Sequence, residues 1–389
     1  MGQKFSRKLK RQFLEACKSG DIKTLQTLDY SKIDIHASNE LGLRMACRYG
    51  HLLIVKYLLS LKEYGQIDIH VWNEHVFISA CYNGHLPIVK YLISLEPEYG
   101  RIDIHVENEY AFRAACYNNQ PQIVKYLISL EPEYGRIDIH TTYEEAFRSA
   151  CRNNHLPILK YLISLEPDHG RIDIHTYGEL AFRWACRYGH LDIVKYLISL
   201  EPDHNHIDIH ANGEEAFQLA CGKGHLEVVK LLLSLESDHE RINIHAWGEL
   251  AFRMACKKGH LDVVKYLISL EPEYGRIDIH VDDEYAFRLA CENGHLNVVK
   301  YLISLKERGR INIHARNEYS FKNSSYIIQH FLIKHDPKYD WKRVAGYKIY
   351  RKELDQIVEQ LVQIHQILTQ FDTDILELNV IGIVKEFLL

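Results

Sequence analysis

The sequence predicts an all-α solenoid of about ten helix-turn-helix units on a 35-residue period, followed by a C-terminal helical segment. Three ladders of residues predict it. The nine cysteines, Cys17, Cys47, Cys81, Cys116, Cys151, Cys186, Cys221, Cys256 and Cys291, are spaced by 30, 34 and then six times 35 residues. The string Ile-Asp/Asn-Ile-His ends at His36, His70, His105, His140, His175, His210, His245, His280 and His314. A third string, Gly/Asn-His-Leu, carries His51, His85, His155, His190, His225, His260 and His295. Sixteen of the 24 histidines thus occupy two repeat positions, which scattered residues would not do.

Each element of the unit has a local reason. Counting from the ladder histidine, position three is Asn, Gly or Asp in eight repeats and Tyr143 in one, residue types that suit a helix N-cap. Position four is Glu throughout, from Glu40 to Glu318, expected in a first helical turn and paired on the surface with an arginine four residues later, as in Glu109 and Arg113. Ala111, Phe112, Ala115 and Cys116 form an apolar stripe at helical spacing. The turn Tyr82-Asn83-Gly84-His85 ends the first helix, with Gly84 as its left-handed cap. The second helix is expected over about Leu86 to Leu95, with Pro87, Pro121 and Pro157 at first positions where a missing amide hydrogen is harmless. Its buried face is Ile88, Val89, Leu92 and Ile93, its lysine points outward, and Tyr57, Tyr91 and Tyr126 are expected in the core. Glu-Pro-Glu-Tyr-Gly-Arg (96–101) then breaks the helix, and Ile-Asp-Ile-His leads on as a short extended turn.

Composition narrows the function. The 389 residues are 47% hydrophobic and 25% charged with a net charge of −5, so this is a globular chain and no polycation; a nucleic-acid partner is not expected. No apolar run is long enough to span a bilayer and no secretory signal follows the start, so a cytoplasmic place is expected. Zinc is the sharp reading of so many Cys and His, and geometry opposes it. Stacked helices lie about 8–10 Å apart, whereas zinc bonds are about 2.0–2.3 Å long. No metal and no cofactor is expected, and the thiols read as small buried apolar groups in a reducing compartment. Neither a phosphate-binding glycine loop, a nucleophile elbow nor a zinc-protease HExxH string occurs, so catalysis is not expected.

Gly224-His225-Leu226-Glu227-Val228-Val229-Lys230-Leu231-Leu232-Leu233 resembles the second helix of the ankyrin repeat, and Ile-Asp-Ile-His resembles that family's hairpin segment. The usual Thr-Pro-Leu-His opening is replaced by Glu-x-Ala-Phe-Arg. The variant is similar to the ankyrin proteins of giant DNA viruses of amoebae. The resemblance covers roughly residues 7–335 and implies an ankyrin-repeat solenoid. It also implies a non-enzymatic scaffold that holds a protein, here one of a host cell, on a concave face of hairpins and first helices. Positions one, two, five, nine, twelve and thirteen vary freely and hold Trp72, Tyr110, Tyr117, Tyr177, Trp184, Trp247 and Tyr285, with Arg48, Arg152, Arg187, Lys257 and Lys258. Aromatics with arginines are what binding hot spots are made of.

The ends differ from the middle. Residues 1–6 are expected as a basic tail, 7–335 as the solenoid with its first and last units as caps, and 336–389 as a helical region. Met1-Gly2-Gln3-Lys4-Phe5-Ser6 fits the pattern for N-myristoylation at Gly2, and Lys4, Arg7, Lys8, Lys10 and Arg11 supply the basic second signal for membrane contact. A solvated capping tail is the alternative. Beyond 336, helices are expected at Trp341 to about Tyr350, along Leu354, Ile357, Val358, Leu361, Ile364, Ile367, Leu368 and Phe371, and after Asp372-Thr373-Asp374. That tail resembles the F-box-like ends of some viral ankyrin proteins, which recruit a ubiquitin ligase, although Leu378-Asn379 stands where Leu-Pro is usual. It implies a substrate adaptor as the alternative function. The other reading is a helical cap on the last repeat.

Overall fold

A computed structural model describes residues 2–235 and 240–336. The described residues are helices joined by turns and short extended segments, with no strand among them. The chain divides into two compact bodies, Met1–Val281 and Asp282–Leu389. The helices expected at and beyond Trp341 lie outside the described residues, as does the F-box-like segment.

The first body repeats one motif. In the repeat headed by His105, a first helix is assigned over Val106–Tyr117 and a second over Pro121–Ser129, followed by a single helical turn at Glu131–Tyr134. First helices pack against first helices of adjacent repeats, and each packs on its own second helix. The phenylalanine at position seven is the largest buried side chain of each such layer: Phe77, Phe112, Phe147, Phe182, Phe217 and Phe252 are all below 2% exposed. All nine cysteines are fully buried and unbridged. Burial pushes the Cys17 thiol up to about 12, and the others upward as well.

Four local expectations need correction. Position three is not an N-cap. Positions two, three and four are consecutively left-handed: Glu107, Asn108 and Glu109 have φ of 52°, 56° and 62°. The right-handed part of the helix therefore starts at position five. Asn, Asp and Gly tolerate this region better than other residues, so the turn selects the same residue types a cap would. Secondly, the position-four glutamate is not a surface partner of the arginine. It is buried in every repeat from Glu40 to Glu284 and half-buried at Glu318, and the arginine, where present, donates elsewhere. Thirdly, Glu-Pro-Glu-Tyr does not end helical structure but forms one extra turn, with the proline in its first two positions. Lastly, Tyr57, Tyr91 and Tyr126 are half-buried, as is Ile93, and the second helix of that repeat closes at Ile93. The preceding lysines Lys56, Lys90 and Lys125 lie over the rings of Tyr91, Tyr126 and Tyr161 at 5.1–5.4 Å.

At the start, one helix runs over Gly2–Ser19, so residues 2–6 belong to it rather than to a separate tail. Phe13, Ala16 and Cys17 are its buried contacts, while Lys8, Lys10 and Arg11 are exposed. The second body keeps the same plan in its described part, with helices at Leu296–Ser304, Ala315–Lys322 and Tyr326–His335 around Phe287, Phe321, Ile328 and Leu332.

Candidate partner-binding face

A hydrogen-bonded frame holds each left-handed turn. The backbone N–H of Glu109 donates to the His105 carbonyl at 3.2 Å, closing the turn. Glu109, 5% exposed, accepts through Oε1 from His105 Nδ1 at 2.8 Å and from the backbone N–H of Asp138 at 3.3 Å. Asp138 belongs to the next repeat, so the carboxylate joins two repeats. His105 Nε2 reaches the Tyr134 carbonyl at 2.9 Å. Arg113 donates from Nε to the carbonyl of Asn108 at 2.8 Å and from Nη2 to that of Glu107 at 2.9 Å. It thereby clamps the two carbonyls the turn exposes. The His–Glu bond recurs around Glu40, Glu74, Glu144, Glu179, Glu214 and Glu249, whereas the arginine clamp is replaced by Ile78 in the Glu74 repeat and by a single Gln218 bond to the Gly213 carbonyl in the Glu214 repeat. A left-handed non-glycine residue costs about 1–2 kcal/mol. Hydrogen bonds to charged groups, worth about 1.5–3 kcal/mol each, offset that strain.

Both ring nitrogens of the ladder histidines from His36 to His245, and of His314, face acceptors. Only the imidazolium donates from both. At His36 the Glu40 hydrogen bond holds the ring pKa above the ordinary histidine value. At His70, His105, His140, His175, His210 and His245, burial works against the charge, but the acceptors outweigh it and the pKa is again raised. The second histidine ladder does different work. His85 Nε2 meets the Arg48 carbonyl of the preceding repeat at 2.9 Å, and His190 and His225 do likewise with Arg152 and Arg187. Gly50 is left-handed at φ 83°, and a Cβ there would stand 2.6 Å from the His85 ring, so glycine is needed twice over. Among the described residues no group of three or more His, Cys, Asp or Glu is placed to hold a metal ion.

The frame decides where the candidate residues stand. Trp72, Tyr177 and Trp247 occupy position two of the left-handed turn and are 55%, 56% and 70% exposed. The arginine of the preceding repeat braces two of them: Arg44 lies 3.8 Å over the Trp72 ring and Arg148 4.8 Å over that of Tyr177. Trp247 donates Nε1–H to the Gly213 carbonyl at 3.2 Å. Tyr110, at position five, is exposed with Arg113 over its ring. Trp184, at position nine, is half-buried beneath Arg152 at 5.2 Å. Arg48, Arg152 and Tyr117 end first helices and are exposed, Arg187 is half-buried, and Lys257 and Lys258 are exposed. Tyr285 is exposed in the second body, under Arg288. Turn tips and first-helix ends thus hold separate groups of these residues.

Sequence reasoning missed Tyr143, 69% exposed at a turn tip and edge-on to Tyr177 at 5.5 Å. Its signal was present, since it breaks the Asn/Gly/Asp rule at position three. Tyr49, Tyr82 and Tyr188 also stand exposed at first-helix ends. Among the described residues no helix is long and apolar enough to cross a membrane.

Ankyrin-repeat family models match residues 13–108, 111–208 and 201–283 as sets of three copies and residues 282–318 as a single repeat. No curated protein matches. A solved structure of an ankyrin repeat family protein from Legionella pneumophila is 25% identical, with a TM-score of 0.28, covering 58% of this chain and 69% of that one. With matched repeats over most of its length, the chain belongs to the ankyrin-repeat family.

Proposed function

We propose that the chain is a non-enzymatic scaffold that holds a host-cell protein on the concave side, formed by turn tips and first helices. The observation that carries this reading is the exposure of Tyr143, Tyr177 and Trp247 at tips whose carbonyls an arginine clamps, and of Trp72 at a tip closed by the bonds between His70 and Glu74. Large aromatics that the fold does not need, set on a rigid frame, are the anchors a protein interface uses. The test compares the full chain with the triple variant Trp72→Ala, Tyr177→Ala, Trp247→Ala. A partner captured by the wild type and identified by mass spectrometry should bind the purified variant at least about tenfold more weakly. Equal affinity removes the reading.

Likeness to the giant-virus proteins stands on the sequence alone. The adaptor alternative rests on residues 337–389, outside the described residues; a cullin-type complex present with the full chain and lost on removing 336–389 would support it. Membrane contact rests on acylation of Gly2 beside exposed Lys8, Lys10 and Arg11. Intact mass from eukaryotic expression, against Gly2→Ala, decides it.

A further inference from the structure

Position one of the repeat is small or apolar in seven repeats: Ala37, Val71, Val106, Ala211, Ala246, Val281 and Ala315. In two adjacent repeats it is Thr141 and Thr176. Both Oγ1 atoms are buried with no hydrogen-bond partner among the described residues. The fold has no use for them, because other repeats place Val there, and an unpaired buried hydroxyl is destabilising. Both threonines line one open cleft of about 630 Å³, together with Asp138, Asp173, Tyr143 and Glu144.

The chemistry of this cleft has one sign. Asp138 and Asp173 accept through Oδ1 from the backbone N–H of His140 and of His175 at 2.9 Å, and both side chains remain exposed. Glu144 is 5% exposed; its Oε1 is taken by His140 and by the Asp173 N–H, while its Oε2 is buried and unpartnered. His140 lines the cleft too, and its Nδ1 is bonded to Glu144 Oε1 at 2.8 Å. The nearby Arg148 is committed to the carbonyls of Thr142 and Tyr143 and to the Tyr177 ring. His140 and His175, which Asp138 and Asp173 also influence, are each bonded to a glutamate, Glu144 and Glu179, so the two aspartates leave the cleft with an excess of negative charge. Tyr143, braced by Tyr177, walls the site with an exposed ring.

We propose that this cleft seats a basic side chain, arginine or lysine, of the protein partner. The inference rests on the scaffold reading and names the chemistry the partner presents. A guanidinium or ammonium brings several N–H donors and no acceptor, which suits two aspartates, two hydroxyls and a ring face. An anionic guest would meet two carboxylates, and an apolar guest would leave the hydroxyls unpaired.

The repeat itself supplies variants that fold. Asn243 and Asn312 stand at the aspartate position of other repeats and accept the same histidine N–H at 3.0 and 3.1 Å. Val at position one is equally native to the fold. The test uses the full chain and fluorescence anisotropy with a labelled heptapeptide alternating glycine and arginine. Comparison peptides carry citrulline or glutamate in place of arginine. The arginine peptide should bind at least about tenfold tighter than the citrulline peptide at low ionic strength. The variant D138N/D173N should remove that preference, T141V/T176V should weaken it, and D208N, outside the cleft, should leave it intact. Equal binding of arginine and citrulline peptides, a preference for glutamate, or an unaffected D138N/D173N overturns the proposal. Should the captured partner bind D138N/D173N at full affinity yet lose the triple aromatic variant, the cleft assignment falls and the scaffold stands. Indifference of the partner to the aromatic variant removes the scaffold reading itself.

Discussion

Replacing Glu109 by alanine should loosen the joint between two repeats, and by a calculable amount. The carboxylate is 5% exposed and accepts from His105 Nδ1 at 2.8 Å and from the Asp138 N–H at 3.3 Å. Alanine removes a charge-assisted bond worth about 1.5–3 kcal/mol and leaves the Asp138 N–H without its acceptor, at about 1–3 kcal/mol. Set against this, Oε2 is buried without a partner, so relief of its burial returns part of the loss. A net destabilisation of about 3 kcal/mol is expected. Glu109→Gln keeps an oxygen for the Asp138 N–H and should lose only about 1–2 kcal/mol. Urea unfolding followed by circular dichroism reads the totals. Because repeat arrays need not unfold in one step, hydrogen exchange at Asp138 locates the effect. Exchange there should accelerate while amides of the repeat headed by His245 stay protected. An alanine variant within about 0.5 kcal/mol of wild type, or a glutamine variant as damaged as alanine, refutes the role assigned to the carboxylate.

Four further outcomes are expected. Stability should rise as pH falls from the alkaline side through the histidine range. First-ladder rings with raised folded pKa contribute fully below the unfolded value and lose that contribution as pH climbs through the folded one. Burial-lowered His75, His155 and His225 oppose this and are fewer among the described residues; thermal melts showing no gain between alkaline and mildly acidic pH contradict it. Phe112→Ala should cost about 3–5 kcal/mol in urea unfolding, since the ring is fully buried. Trp247→Ala, by contrast, should change stability by about 0.5–1 kcal/mol, its one hydrogen bond to Gly213, while weakening partner binding. Thiol labelling of the native protein with a disulfide reagent should be slow at all nine cysteines and complete only in denaturant; rapid native labelling would contradict their burial.

The repeat and its helical pairing were legible because they rest on periodicity: buried Cys and Phe positions recur with the helices that bury them. Gly84 and Pro121 were legible because their backbone constraints are local. The left-handed turn was not. Asn108 and Gly178 fit a helix cap and a left-handed residue equally well, and composition cannot separate the two. Glu109 and Arg113 have the spacing of a helical pair, yet Glu109 is itself the last left-handed residue of the turn, and its carboxylate points inward. The histidine ladder was visible as a pattern but mute as chemistry, because one partner of His105 is a glutamate the sequence places on the surface and the other is a main-chain oxygen 29 residues away at Tyr134. The exposed face was partly readable. Positions two and twelve stand out in the sequence by their variability, whereas Tyr143 does not, because its position also serves the turn.

The bond from the position-four glutamate to the amide of the following repeat links equivalent sites in successive repeats. Excising one whole 35-residue segment, or copying it in place, therefore brings together a donor and an acceptor that already match. Unequal recombination within such a gene can lengthen or shorten the product without designing a new contact. A molecule so built can change its reach, and the order of the side chains it displays, faster than it could evolve a different fold.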